Sequence, residues 1–178
     1  MIVLYKGARG KGKTLTMCKD ALNFQNKGWK VYSNMNDLKV GEYISNEYIL
    51  SIDKKEKKIF NCVLIIDEIQ TLFDSRTSTR TQNRDFSYFL QQIRKRNVVL
   101  LCTTQFSNTI DKRLRQHLDI LAVPNFLKKY LLCRVKYIDL RTIEDLEIGL
   151  GLTEPNFIEV VFDCRKIFKL YNTEELIS

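Results

Sequence analysis

A chain of 178 residues with 44% apolar content fills one core well and is short for two. A charged fraction of 28% with mixed patterning excludes intrinsic disorder, and no apolar run approaches the ~18–20 residues that cross a bilayer. The net charge of +8 is uneven: Thr71 to Lys136 holds 13 Lys or Arg against 4 Asp and the remainder is near neutral, which points to a polyanionic partner or surface.

In chain order, "IVLY" is apolar without alternation and predicts a buried strand. Lys13 to about Asn26 predicts a helix with Leu15, Cys18, Leu22 and Phe24 on its apolar side, and Gly28 falls where a helix C-terminal glycine sits. "WKVYSNM" predicts a second strand, and Asp37 to Lys58 is compatible with helix, strand or both. "CVLIIDEIQ" predicts a buried strand ending in two carboxylates. "DSRTSTRTQN" reads as a polar loop, and "RDFSYFLQQIRKR" as an amphipathic helix with Phe86, Phe89, Leu90 and Ile93 at helical spacing. "VVLLCTTQ" is a further buried strand and "LDILAVP" another, ended by Pro124.

This alternation predicts an α/β fold with a mainly parallel central sheet flanked by helices. "LLCRVKYIDLR", "FIEVVFDC" and "KIFKLYN" predict antiparallel additions to the same sheet. Without a repeat, low-complexity tract or linker, one domain is expected over 1–178, with a core to about residue 126 and a β-rich extension over about 127–178.

The start of the chain lacks the basic, apolar and small-residue blocks of a signal peptide. The five cysteines are odd in number, widely spaced and mostly set among Val, Leu and Ile, so they read as small buried hydrophobes in a reducing compartment. A cytoplasmic location is expected. The single His117 has no partner at ligand spacing, and no zinc site is expected.

Residues 7–14, "GARGKGKT", fit G-x-x-x-x-G-K-[ST], the Walker A or P-loop pattern, between a predicted strand and a predicted helix. Glycines let the backbone curl around phosphates and turn several N–H groups inward, and the positive end of the following helix points at the same anions. The expected ligand is ATP, cradled by Gly7, Ala8, Arg9, Gly10, Lys11, Gly12, Lys13, Thr14 and Leu15. Lys13 is expected to neutralise the β- and γ-phosphates, and the Thr14 hydroxyl to take one position on Mg²⁺. The fold this implies is that of P-loop NTPases of the RecA-like kind.

Asp67 and Glu68 end the apolar "LII" run in the Walker B arrangement. Asp67 is expected to hold Mg²⁺ through water, and Glu68 to act as the general base on the attacking water. The plainer alternative is a solvated acidic pair capping "IQTLF". The pair favours hydrolysis over transfer to a small acceptor, because a kinase has to keep an activated water away. Gln105 closes "LLCTTQ" at the sheet edge where ligands bind, and is expected to contact the γ-phosphate and the attacking water.

With "GARGKGKT", "LIIDEIQ" and "QQIRKRNVVLLCTTQ" in this order, the chain resembles the FtsK–HerA superfamily of DNA-pumping ATPases. Within it the resemblance is to the small genome-packaging ATPases of viruses and to the zonula occludens toxin-like phage assembly proteins. "VYSNMNDL" and "KLYNTEE" resemble the toxin-like branch more weakly. The resemblance implies a homo-oligomeric ring, a hexamer, that threads double-stranded DNA without sequence preference as ATP is hydrolysed at subunit boundaries. It also implies an arginine acting on the neighbouring subunit's nucleotide: Arg94 first and Arg96 second, with Arg113 and Arg115 as competitors.

Arg76, Arg80 and Arg84, spaced by small hydroxyl residues, suit DNA phosphates and carry no base-reading pattern. Toxin-like assembly proteins usually carry a membrane span and a further domain, and the chain shows neither. Genome packaging, with a capsid or portal protein as partner and the host cytoplasm or the virion as the location, is therefore expected ahead of virion assembly or export. A nucleotide kinase is the third class.

Overall fold

The computed structural model describes residues 1–51, 59–73, 88, 90–105, 112–141 and 156–171, without the side chains of 50, 51, 73, 112 and 113. Its elements are β1 (Ile2–Lys6), α1 (Lys13–Asn26), β2 (Lys30–Ser33), β3 (Glu42–Tyr43), α2 (Asn46–Ser51), β4 (Cys62–Ile66), β5 (Val98–Thr104), α3 (Lys112–Gln116), β6 (Ile120–Leu127), β7 (Leu132–Asp139) and β8 (Phe157–Asp163). They form one eight-stranded sheet in the order β3-β2-β4-β5-β1-β6-β7-β8. All pairings from β3 to β6 are parallel, and β6–β7 and β7–β8 are antiparallel.

The near-continuous apolar runs of β1, β4 and β5 are explained by burial on both faces. Val3, Tyr5, Val63, Ile65, Val99 and Leu101 pack beneath α1 with Leu15, Met17, Cys18 and Ala21. Ile2, Leu4, Leu64, Ile66, Leu100 and Cys102 face the other way, against Ile49, Leu90, Ile93 and Leu114. Each Val, Leu, Ile or Met among them, fully buried, contributes roughly 1.5–3 kcal/mol of transfer free energy. The five cysteines are all buried free thiols, as their apolar settings imply.

The helix expected from Lys13 to Asn26 has those bounds. It closes at Gly28 (φ 84°), with the Gly28 N–H donating to the Gln25 carbonyl and the Trp29 N–H to the Phe24 carbonyl. Asn97 (φ 50°) repeats that closure before β5, its N–H donating to Arg94 and that of Val98 to Ile93. Upstream of it, Leu90 and Ile93 are buried as the amphipathic pattern requires, while Phe86 and Phe89 lie outside the described residues. The ambiguous stretch from Asp37 holds both β3 and α2.

Two local expectations fail. The strand expected to end at Pro124 runs on to Leu127. The Phe126 N–H donates to the Lys11 carbonyl, so by strand alternation the nitrogen of Pro124 also faces that side and away from β7. The β6–β7 ladder therefore needs no N–H from it. "KIFKLYN" contributes no strand among the described residues: Phe168–Leu170 is a 3-10 turn. Its Leu170 carbonyl accepts from the Lys39 N–H, which ties the turn to the loop after β2.

Candidate functional site

The carboxyl ends of β1, β4 and β5 lie side by side, because β1 pairs with β5 and β5 with β4 in parallel register. Whatever follows these strands meets in one cleft of about 500 Å³, lined by Arg9, Gly10, Gly12, Lys13, Thr14, Leu15, Asp67, Glu68, Gln105 and Tyr171. Gly7, Ala8 and Lys11 complete the turn from β1 into α1; the Lys11 N–H donates to the Ala8 carbonyl. Gly12 is the residue the turn cannot replace. Its φ is 89°, and a Cβ there would stand 3.2 Å from Cys133 Sγ and 3.3 Å from Phe126 Cβ. Lys13 is buried, with Nζ on the Ala8 carbonyl at 3.3 Å, so its charge is held inside the turn.

Asp67 follows β4 and turns toward α1. Its Oδ1 accepts from Thr14 Oγ1 at 3.2 Å and from Thr103 Oγ1 at 2.7 Å. Burial pushes its carboxyl above the ordinary range, and the charge of Glu68 adds to this; the hydrogen bonds from Thr103 and Thr14, and Lys13, act in the opposite sense. Asn34, just past β2, grips the Asp67 backbone twice: Oδ1 accepts its N–H at 2.8 Å and Nδ2 donates to its carbonyl at 3.2 Å.

Glu68 has φ 51°, a left-handed conformation that costs a non-glycine residue roughly 1 kcal/mol. The Thr103 hydroxyl helps fix it by accepting the Glu68 N–H at 2.8 Å. The Glu68 carboxylate accepts from Gln105 Nε2 at 3.0 Å on one oxygen and from Gln70 Nε2 on the other. Gln105 thus faces the acid it was expected to assist.

The arginines are elsewhere. Arg94 lies near the starts of β1 and β6, at the opposite edge of the sheet; it is mostly exposed and 2.9 Å from Asp119. Arg96 is buried with its guanidinium over the Phe60 ring, and Arg115 is exposed on α3. The Arg113 side chain lies outside the described residues, as do Arg76, Arg80 and Arg84.

Asn34, Thr103, Gln70 and Tyr171 were not among the residues picked from sequence. A signal existed for Thr103: β5 pairs with β4, and strand alternation puts it on the same face as Asp67. "SNMN" past a neighbouring strand held a weaker one for Asn34.

The model of the family described as ATPase family associated with various cellular activities (AAA) matches residues 3–124, well over half of the chain. The chain belongs to the AAA family. This AAA chain is therefore a P-loop NTP hydrolase.

No curated protein matches it significantly. Among solved structures it is similar to the N-terminal domain of zonular occludens toxin from Neisseria meningitidis, at 19% identity and a TM-score of 0.64, covering 96% of this chain and 98% of that one. The genome packaging NTPase B204 from Sulfolobus turreted icosahedral virus 2, in complex with ATP-gammaS, shares 11% identity at a TM-score of 0.57, covering 88% and 95%. A DnaB-like replicative helicase is also similar, at 13% identity and a TM-score of 0.52, covering 91% of this chain and 54% of that one. At these identities the likeness is one of fold. Among the described residues of the AAA chain, no helix is long and apolar enough to cross a membrane.

Proposed function

We propose that this ATPase is a motor that couples ATP hydrolysis to movement of duplex DNA, as a viral genome-packaging ATPase of the FtsK–HerA kind. The observation that carries the hydrolytic part is the convergence, in one cleft, of the phosphate-cradling turn, the half-buried Asp67 on the Thr14 hydroxyl, and Glu68 beside Gln105.

The turn's N–H groups and the amino end of α1 bind the phosphate chain, and Lys13 balances its charge. Glu68 takes the proton of the attacking water, and Gln105 orients that water against the γ-phosphate. For this the Glu68 carboxylate has to give up at least one of its two amide donors. Thr14 and Asp67 suit Mg²⁺: both offer hard oxygens, and a carboxylate whose charged form burial disfavours is one that a dication would stabilise. Bound there, Mg²⁺ would supply charge neutralisation at the β- and γ-phosphates.

The DNA part is supported by the local excess of 13 basic over 4 acidic residues, with Arg76, Arg80 and Arg84 assigned to phosphate contact. Arg94, exposed and across the sheet from its own cleft, is assigned to the neighbouring subunit's nucleotide in a ring; the burial of Arg96 speaks against it in that role. A second reading, an ATPase driving virion assembly or export, draws support from the end-to-end likeness to the zonular occludens toxin domain.

The deciding experiment measures ATPase rate with and without long duplex DNA at low and moderate salt, alongside the mass of the ATP-bound assembly. Stimulation that fades with salt, together with an oligomer, is the expected result. Hydrolysis indifferent to DNA at low salt would move the assignment to assembly or export.

A further inference from the structure

After β8 the chain does not leave the molecule. The Cys164 N–H donates to the Leu131 carbonyl, Phe168 meets Phe126 edge to face at 5.9 Å, and the Leu170 carbonyl accepts from Lys39. The segment therefore runs as a strap from the β7 side of the sheet to the loop after β2. Cys164, Ile167 and Tyr171 lie in the same buried cluster as Leu15 and Cys18 of α1.

Tyr171 follows the Phe168–Leu170 turn of the strap. It is 4% exposed and lines the cleft that holds the phosphate-cradling turn and Asp67. Its hydroxyl has no hydrogen-bond partner among the described residues. A buried hydroxyl without a partner costs free energy that a phenylalanine would not incur, so its presence beside a ligand cleft points to a partner that arrives with the ligand. Burial also raises the phenol well above its ordinary range, so it reaches neutral pH as a donor.

We propose that Tyr171 is a nucleotide-binding residue whose hydroxyl donates to an oxygen of the bound nucleoside triphosphate, making the strap one wall of the site. The inference rests on the nucleotide reading of the cleft and adds to it a contact from outside the P-loop and the two strand-end carboxylates.

The test is Tyr171→Phe in the full chain, with ATPγS affinity by calorimetry and the melting temperature of the same samples with and without ATPγS; Lys13→Ala is the parallel control. The expected result is a Kd raised about tenfold, a smaller ATPγS-induced shift in melting temperature, and a nucleotide-free melting temperature that is unchanged or higher. An unchanged Kd overturns the proposal. So does a fall in nucleotide-free melting temperature without a change in Kd, which would mean that the hydroxyl serves the fold. If wild type binds ATPγS and Lys13→Ala does not, an unchanged Tyr171→Phe sinks this inference alone. If wild type itself fails to bind, the nucleotide reading falls and this goes with it.

Discussion

Two aspartates, one buried and one half-buried, stand at opposite edges of one sheet and are treated in opposite ways. Asp119, where β1 and β6 begin, accepts the Ile2 N–H at 2.8 Å and pairs with Arg94 at 2.9 Å. Asp67, where β4 ends, has two hydroxyl donors and a backbone held by Asn34, with Lys13 as a more distant charge. The first is balanced by the chain itself. The second is held in position but left electrostatically incomplete. A carboxylate of the first kind holds a fold together; in the function proposed above, one of the second kind takes a cation that the chain does not supply.

The largest effect that would sharpen this contrast is chemical. Glu68→Gln should cut ATP hydrolysis at least a hundredfold while ATPγS binding stays within about threefold of wild type, read by single-turnover kinetics and calorimetry. Full activity in that variant would remove the base from the open edge.

Next come the aspartates themselves. Asp119→Ala should lower stability by about 2 kcal/mol, because it strips a buried N–H and a guanidinium of their shared acceptor. Asp67→Asn, in protein free of nucleotide and metal, should leave stability unchanged or raise it. Equal losses from both substitutions would erase the distinction.

The pH dependence should separate them further. The carboxyl of Asp67 is raised in the folded state above its ordinary 3.8, so the native form binds the more protons in the window between the two values. Stability from this group is then greatest at low pH and is lost as pH rises through that window. The melting temperature of nucleotide-free wild type should therefore fall relative to Asp67→Asn from about pH 4 upward, then run parallel to it.

The smallest effect within the protomer belongs to Arg94, most of whose side chain meets solvent. Arg94→Ala should cost about 1 kcal/mol in stability, less than Asp119→Ala, because its guanidinium is screened by solvent although the carboxylate it leaves is buried. Mixed with an active-site-dead subunit that retains Arg94, the variant should regain hydrolysis. Absence of rescue would leave Arg94 with Asp119 alone.

Much of the open edge was legible in sequence because its chemistry is local. Gly7 to Thr14 is fixed by spacing, and Asp67, Glu68 and Gln105 by their place at the ends of apolar runs that a parallel sheet must bring together. The supports were harder to see. Asn34 and Thr103 act through the register of β2–β4 and β4–β5, which residue type alone does not announce. Tyr171 reaches the cleft only because the chain after β8 returns to the loop after β2, and "KIFKLYN" has the composition of a strand although Phe168–Leu170 forms a turn. Pro124 misled for a plain reason. A proline ends a strand only where its missing donor is needed, and here that side of β6 faces the loop.

The same proline has a consequence for how the loop is born. Tyr5 sits opposite Ala122, so continuing that register would set Gly7 against Pro124. A nitrogen with no hydrogen offers nothing for a longer first strand to zip onto. The chain is thus refused the wrong partner at the very residue where it has to swerve, and the hollow above stays open because its seam cannot be sewn shut.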